Sequence, residues 1–218
     1  MNQIQAVIFD RDNVLTYFDM QKAMAYFEPL LPISLEQLAQ YWWQWHDSTI
    51  APATLSEENL LFESFWKRLG QELDLSVSQM AQLSQFVYTS ILSVFNDVLP
   101  ALQFVKSHGL RVGVLSNFEL ASIDASLDAT GLFPWIDKAM AAPVIGVSKP
   151  NPEAYLIVAQ ALDVPPEFCL YFDDELPCVE GASSVGMQAY WVDRERNQHN
   201  LEENIVCDLS AVRILLTP

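Results

Sequence analysis

Short apolar segments, five or six residues long and bounded by charged or turn residues, recur along the chain. They cover residues 4–9, 111–115, 138–142, 168–172 and 188–192. Their length and boundaries predict buried strands of a parallel sheet. Helical patterns lie between them, most clearly over 119–130 and over 153–162 behind Pro152. This alternation predicts an α/β fold: a Rossmann-like, doubly wound parallel sheet with helices on both faces.

Residues 17–95 have a different pattern, with no strand-like segment and many helix formers and aromatic residues. The i, i+3 and i+4 spacing of aromatic residues across "YWWQW", which contains Trp42, Trp43 and Trp45, is typical of a helical stripe that packs into a core. We therefore predict a Rossmann-like core formed by residues 1–16 and 96–218. Residues 17–95 are predicted to form a helical cap subdomain inserted into that core.

Composition narrows the classes of partner. The 218 residues carry a formal net charge of −17, with 11 basic and 28 acidic residues. Nucleic acids and anionic membranes bind basic surfaces, so neither is an expected partner. Three cysteines without a CxxC pair indicate a reducing compartment, and no apolar run approaches the ~20 residues that cross a bilayer. We expect a cytoplasmic protein, either a monomer or a homodimer.

Polar side chains follow several of the predicted strands at the point where each strand ends. They are Asp10 and Asp12, then Ser116 and Asn117, then Asp173 and Asp174. Lys149 adds a cation just before a predicted helix. In an open parallel sheet the carboxyl ends of the strands form the edge where ligands bind. The sequence therefore predicts that these groups converge on one site.

Phosphoryl transfer is the chemistry that uses all of these groups. A carboxylate such as Asp10 can attack phosphorus, and Asp12 can protonate the leaving oxygen and later deprotonate water. The i, i+2 spacing predicts that both side chains lie on one side of the strand. Asp174 and Asp173 are hard oxygen ligands that suit Mg²⁺.

Lys149 and the Ser116 hydroxyl could then hold the phosphoryl oxygens. Each position also has a structural interpretation. Ser116 and Asn117 could cap a helix starting near Glu119. Arg11 is expected to be either exposed or ion-paired.

Four segments resemble the motifs of the haloacid dehalogenase-like hydrolase superfamily, in the same order along the chain. They are "FDRDNVLT", "VLSNF", "SKPNPEAY" and "YFDDELPCVEGASSVGM". The resemblance implies a Rossmann-like core with a helical cap inserted after the first motif. It also implies Mg²⁺-dependent hydrolysis of a small-molecule phosphate ester through an aspartyl-phosphate.

The resemblance also implies a role for each matched residue. Asp10 matches the nucleophile, Asp12 the general acid and base, and Lys149 the charge-balancing lysine that contacts phosphate. Ser116, with Asn117 beside it, matches the phosphate-binding position. The implied metal site comprises Asp10, the backbone carbonyl at Asp12, and Asp174, with Asp173 close by.

Two positions depart from the family pattern. Asn13 stands where glycine is usual, and asparagine tolerates the positive φ of such a turn better than other side chains. Cys178 stands where an aspartate or asparagine commonly completes the metal site, which leaves metal affinity and choice open.

Asp12 favours phosphoryl transfer, because the dehalogenating branch generally lacks an aspartate there. A sugar phosphomutase of the beta-phosphoglucomutase type remains an alternative, and a 2-haloacid dehalogenase is a weaker one. A non-catalytic binding protein that keeps the fold is disfavoured, because a retired site would be free to lose its clustered charges.

Overall fold

A computed structural model describes residues 3–46 and 50–217. The strands are β1 (Ala6–Phe9), β2 (Thr16–Phe18), β3 (Leu92–Val94), β4 (Arg111–Ser116), β5 (Lys138–Ala141), β6 (Cys169–Asp173), β7 (Gln188–Val192) and β8 (Ile205–Val206). The helices are α1 (Met20–Phe27), α2 (Leu35–His46), α3 (Leu55–Glu72), α4 (Val77–Leu83), α5 (Val98–Ser107), α6 (Ile123–Ala129), α7 (Ala142–Ile145), α8 (Pro152–Ala161), α9 (Leu176–Ser184) and α10 (Ala211–Leu216).

A six-stranded sheet with the order β5-β4-β1-β6-β7-β8 forms the centre of the molecule. Every pair of neighbouring strands in it is parallel. Strand β1 is wholly buried, and its side chains alternate between the two faces. Val7 and Phe9 pack in one hydrophobic cluster with α5, α6 and α10, whereas Ala6 and Ile8 pack in a second with α8 and α9. The predicted doubly wound α/β sheet is therefore confirmed.

A third hydrophobic cluster lies within the segment predicted as the cap. Its buried members run from Ala23 to Ile91, and they come from α1 to α4 and the turns beside them. Tyr41, Trp42 and Trp45 pack against this cluster, so the i, i+3 and i+4 stripe is a core-packing feature. Trp43 lies off that stripe and is 57% exposed. The separate cluster supports residues 17–95 as an inserted subdomain, and we keep those boundaries as a proposal.

The prediction that residues 17–95 contain no strand was wrong. Strands β2 and β3 pair in an antiparallel sheet in which Thr16 lies opposite Val94 and Phe18 opposite Leu92. This two-stranded ribbon joins the two chain crossings between the sheet core and the helical segment. A strand of three residues shows too few alternations to be read from a sequence. In the described residues, no helix combines the length and the apolar character that crossing a membrane requires.

Candidate active site

Asp10, Asp173 and Lys149 form a buried ion-paired group at the carboxyl edge of the sheet. Strand β1 lies between β4 and β6, and Phe9 is in register with Phe172. Asp10 and Asp173 each come one residue later, so they are neighbours on the sheet face opposite the two stacked phenylalanines. The Lys149 Nζ reaches this face from the turn just before α8 and lies 2.8 Å from Asp10 Oδ1 and 2.8 Å from Asp173 Oδ2.

The Asp173 carboxylate already accepts three hydrogen bonds from protein donors. Its Oδ2 accepts hydrogen bonds from Lys149 Nζ and from the Tyr171 hydroxyl. Its Oδ1 accepts the backbone N–H of Glu175 at 3.0 Å. Asp173 is fully buried. It is therefore better suited to holding Lys149 in place than to binding a further ligand directly.

Ser116 and Asn117 lie at the end of β4, beside β1. The Ser116 side chain is buried, and its Oγ accepts the backbone N–H of Phe118 at 3.0 Å. Asn117 binds the backbone of Lys149 in both directions: its Nδ2 donates to the Lys149 carbonyl at 2.9 Å, and its Oδ1 accepts the Lys149 N–H at 2.8 Å. Asn117 therefore anchors the lysine segment.

The interpretation of Ser116 and Asn117 as caps of a helix starting near Glu119 was wrong. Helix α6 begins only at Ile123. Residues 117–122 form a loop with bends at 119–121 instead, and its last residue, Ser122, is bound by the cap. The buried Glu58 of α3 accepts hydrogen bonds from both the backbone N–H and the hydroxyl of Ser122.

Asp174 follows Asp173 and is half-buried. Its Oδ2 accepts a hydrogen bond from Asn13 Nδ2 at 3.0 Å, and its backbone carbonyl accepts the indole N–H of Trp191 at 2.8 Å. Carboxylate oxygens of Asp10, Asp173 and Asp174 lie within 4.8 Å of one another. The predicted convergence of these three carboxylates on one point is therefore present.

Asp12 lies outside that carboxylate group. Its two oxygens form a bidentate ion pair with Arg11, with Nη2 contacts of 2.9 and 2.8 Å. Arg11 is fully buried, stacks 3.5 Å from the Phe118 ring centroid and donates to Ser126 Oγ. The expectation that Arg11 is exposed or ion-paired is met by the ion pair. The Asp12 side chain is 42% exposed and can reach a ligand at the edge of the sheet.

The charges of the three carboxylates and Lys149 favour the binding of one more cation. Burial raises the pKa of Asp10 to about 8, Lys149 opposes this shift, and the nearby Asp173 adds to it. The two carboxylates in turn raise the pKa of Lys149, against its burial. Burial also raises the pKa of Asp174, while the Asn13 hydrogen bond lowers it. One lysine faces three carboxylates, so the site keeps an excess of negative charge.

A hard divalent cation fits this donor set. Only Oδ1 of Asp10 is paired with Lys149, and among the described residues its second oxygen has no hydrogen-bond or ion-pair partner. Asp10 and Asp174 together offer carboxylate oxygens on the accessible side of Asp173. Cys178 is buried in α9, where its thiol donates to Glu175 Oε2 at 3.3 Å. The departure at Cys178 therefore removes one family oxygen ligand and leaves the two aspartates in place.

Two functional contacts were missed in the sequence. Tyr171 precedes Asp173 by two residues on the same strand, so the strand period alone would place its hydroxyl on the correct face. Arg194 follows β7 and donates to the carbonyls of Asn13 and Val14 at 2.9 and 2.6 Å. No local pattern marks Arg194, because its partners are about 180 positions away in the sequence.

Comparison with known proteins places this geometry in a family. Residues 4–186 match the family model of the haloacid dehalogenase-like hydrolases. The chain belongs to the haloacid dehalogenase-like hydrolases. It is 35% identical over 214 residues to "Phosphatase MT3486" of Mycobacterium tuberculosis, a match that covers 98% of this chain and 97% of that protein.

Two further similarities differ in what they show. A "Phosphorylated carbohydrates phosphatase" of Thermotoga maritima is 25% identical over 185 residues, covering 85% of this chain and 83% of its own. A dehalogenase of solved structure superposes with a TM-score of 0.69 at 23% identity, covering 100% of this chain and 99% of its own. The latter shows the fold alone. The predicted superfamily, and the prediction of an enzyme of its phosphatase type, are confirmed.

Proposed function

We propose that this haloacid dehalogenase-like hydrolase is a Mg²⁺-dependent phosphatase that acts on a small phosphorylated metabolite through an aspartyl-phosphate at Asp10. The observation that carries the proposal is the buried Asp10–Lys149–Asp173 group with Asp174 beside it. A site without chemistry would gain stability by losing this excess of buried charge. Sugar phosphates are the first substrates to test, because one relative is named for phosphorylated carbohydrates. Cytoplasmic location and a monomeric or dimeric state remain predictions.

In the proposed reaction, an oxygen of the ionised Asp10 carboxylate attacks phosphorus, and the bond from phosphorus to the ester oxygen breaks. Asp12 gives its proton to the departing oxygen, and the product alcohol leaves. Water then attacks the aspartyl-phosphate while Asp12 takes a proton from it. The bond from phosphorus to Asp10 breaks, which releases inorganic phosphate and restores the carboxylate.

The remaining residues bind and orient. Lys149 offers positive charge to the phosphoryl oxygens and is held from two sides, by Asp173 on its ammonium group and by Asn117 on its backbone. Ser116 Oγ is one further candidate phosphate contact. Asp10 and Asp174 would hold Mg²⁺, with the Asp12 carbonyl as a predicted third ligand. The cation supplies positive charge that keeps the carboxylates ionised and offsets charge on the phosphoryl group.

Asp12 favours this proposal over the dehalogenase alternative. Displacement of a halide needs no acid, whereas a departing alkoxide does. The phosphomutase alternative uses the same residues and is separated by its products. A mutase needs a bisphosphorylated sugar for turnover and returns a phosphorylated product, whereas a phosphatase releases inorganic phosphate without that cofactor.

The test is release of inorganic phosphate from para-nitrophenyl phosphate and from a panel of phosphorylated metabolites. We expect activity to require Mg²⁺, to stop on chelation and to vanish in Asp10→Asn. Asp128→Asn, at an exposed position of α6, is the control for loss of one negative charge. Full activity in Asp10→Asn, or activity insensitive to chelation, would contradict the mechanism. Phosphate release only when a sugar bisphosphate is added would favour the mutase.

A further inference from the structure

Asn13, which stands where the family usually has glycine, makes a side-chain contact that glycine could not make. Its Nδ2 donates to Asp174 Oδ2 at 3.0 Å. A carboxylate has about four lone pairs, so the same group can accept this hydrogen bond and bind a cation. The contact joins the turn after Asp10 and Asp12 to the carboxylate that follows β6.

The backbone of Asn13 is fixed on both sides, so its amide is held in one direction. The residue has a φ of 56°. Its N–H donates to the Thr16 carbonyl at 2.7 Å, and its own carbonyl accepts Arg194 Nε at 2.9 Å. Arg194 in turn stacks 3.6 Å from the Phe95 ring centroid and pairs with Asp97 at 3.1 Å. The turn is therefore tied to an anchored arginine.

Asp174 needs such an anchor more than Asp10 or Asp173 does. Lys149 contacts both of those carboxylates, whereas Asp174 receives neither a lysine nor an arginine contact among the described residues. In the described part of the chain, Asn13 is the one residue whose side chain donates a hydrogen bond to the Asp174 carboxylate. A fixed donor selects one rotamer of a carboxylate, and outer contacts of this kind typically change metal affinity by about 10- to 100-fold.

We propose that Asn13 is a positioning residue that orients the Asp174 carboxylate for divalent cation binding. This inference rests on the proposed function, which assigns Asp174 to the cation. Asn13 itself is not a ligand and does not touch the reacting atoms. Asn13 adopts the positive φ for which the family usually has glycine at this position. Its amide adds a hydrogen bond to Asp174 at the proposed metal site.

The decisive variant is Asn13→Gly, because glycine adopts the same φ and only the amide is lost. Asn204→Gly is the matched control, since Asn204 also has a φ of 56°, and among the described residues its side chain makes no hydrogen bond to the site. We would titrate each full-length protein with Mn²⁺ without substrate and follow free Mn²⁺ by electron paramagnetic resonance. Asp174→Asn tests whether the binding uses that carboxylate.

We expect Asn13→Gly to raise the Mn²⁺ dissociation constant about tenfold, which is typical for loss of a hydrogen bond to a metal-ligating residue. Asn204→Gly should bind as the wild type does. At saturating cation, Asn13→Gly should recover a wild-type kcat, because the reacting groups are unchanged.

A dissociation constant raised less than threefold in Asn13→Gly would overturn the positioning role, provided that the wild type binds Mn²⁺ and Asp174→Asn does not. A kcat that stays low at saturating cation would overturn it as well. A wild type that does not bind Mn²⁺, or an Asp174→Asn variant that binds normally, would overturn the proposed cation site itself. The two failures are thus distinguishable.

Discussion

Replacing Asp10 by asparagine is expected to stabilise the cation-free protein, although it removes the proposed nucleophile. Burial raises the pKa of Asp10 from 3.8 to about 8, so at pH 7 the folded protein binds a proton there that the unfolded chain does not. Stability therefore falls as the pH rises from about 4 towards 8. At pH 7 the gap of roughly 3 pH units above 3.8 corresponds to about 4 kcal/mol. Asparagine does not titrate and avoids this cost.

The measurement is thermal unfolding of both proteins in a chelator. In a chain of this size 1 kcal/mol corresponds to about 2–4 °C in Tm, so Asp10→Asn should melt roughly 10 °C higher at pH 7. At pH 5 the advantage should fall to about 1.5 kcal/mol, because the gap above 3.8 is then only slightly more than about one pH unit. The exposed control Asp128→Asn should stay within about 0.5 kcal/mol of the wild type.

Saturating Mg²⁺ should stabilise the wild type but not Asp10→Asn, because only the wild type then binds the cation through Asp10. The reasoning would be refuted if Asp10→Asn melted at or below the wild type at pH 7 in chelator. A difference in Tm between the two proteins that did not become smaller at pH 5 would also refute it.

Two further predictions concern the packing around the site. Gly181→Ala should destabilise the protein by about 1–3 kcal/mol in denaturant unfolding, because the added Cβ would lie 2.6 Å from the Pro150 carbonyl, next to Lys149. Gly70→Ala is the contrast, since the three atoms nearest to its Cβ would all belong to the flexible Met80 side chain. An equal loss of stability in both variants would contradict the argument. Arg11→Met should lower kcat/KM for an alkyl phosphate at least tenfold more than kcat/KM for para-nitrophenyl phosphate. Asp12 loses its bidentate anchor, and in the first step, which kcat/KM reports, only the poorer leaving group needs its proton. An equal loss of kcat/KM with both substrates would indicate a structural role alone.

Several features of the site follow from local sequence. Apolar segments that end in Asp10, Ser116 and Asp173 predicted the sheet and its functional edge, since parallel strands with covered faces need continuous apolar runs. The period of a strand also fixes which residues share a face, and on that basis the hydroxyl of Tyr171 could have been placed beside Asp173. Short strands such as β2 escaped prediction because three residues show no periodicity.

Long-range contacts decided the rest. The sequence by itself determined that Asp10 and Asp174 follow apolar strands and that Lys149 precedes a helix. Only the tertiary structure decided that Asn117 binds the Lys149 backbone, and that the Asp12 carboxylate forms a bidentate ion pair with Arg11. The spacing of apolar residues within one segment predicts a strand or helix, because each residue on the buried face must be apolar. A side-chain hydrogen bond depends on where two distant segments meet, and no local pattern records that meeting.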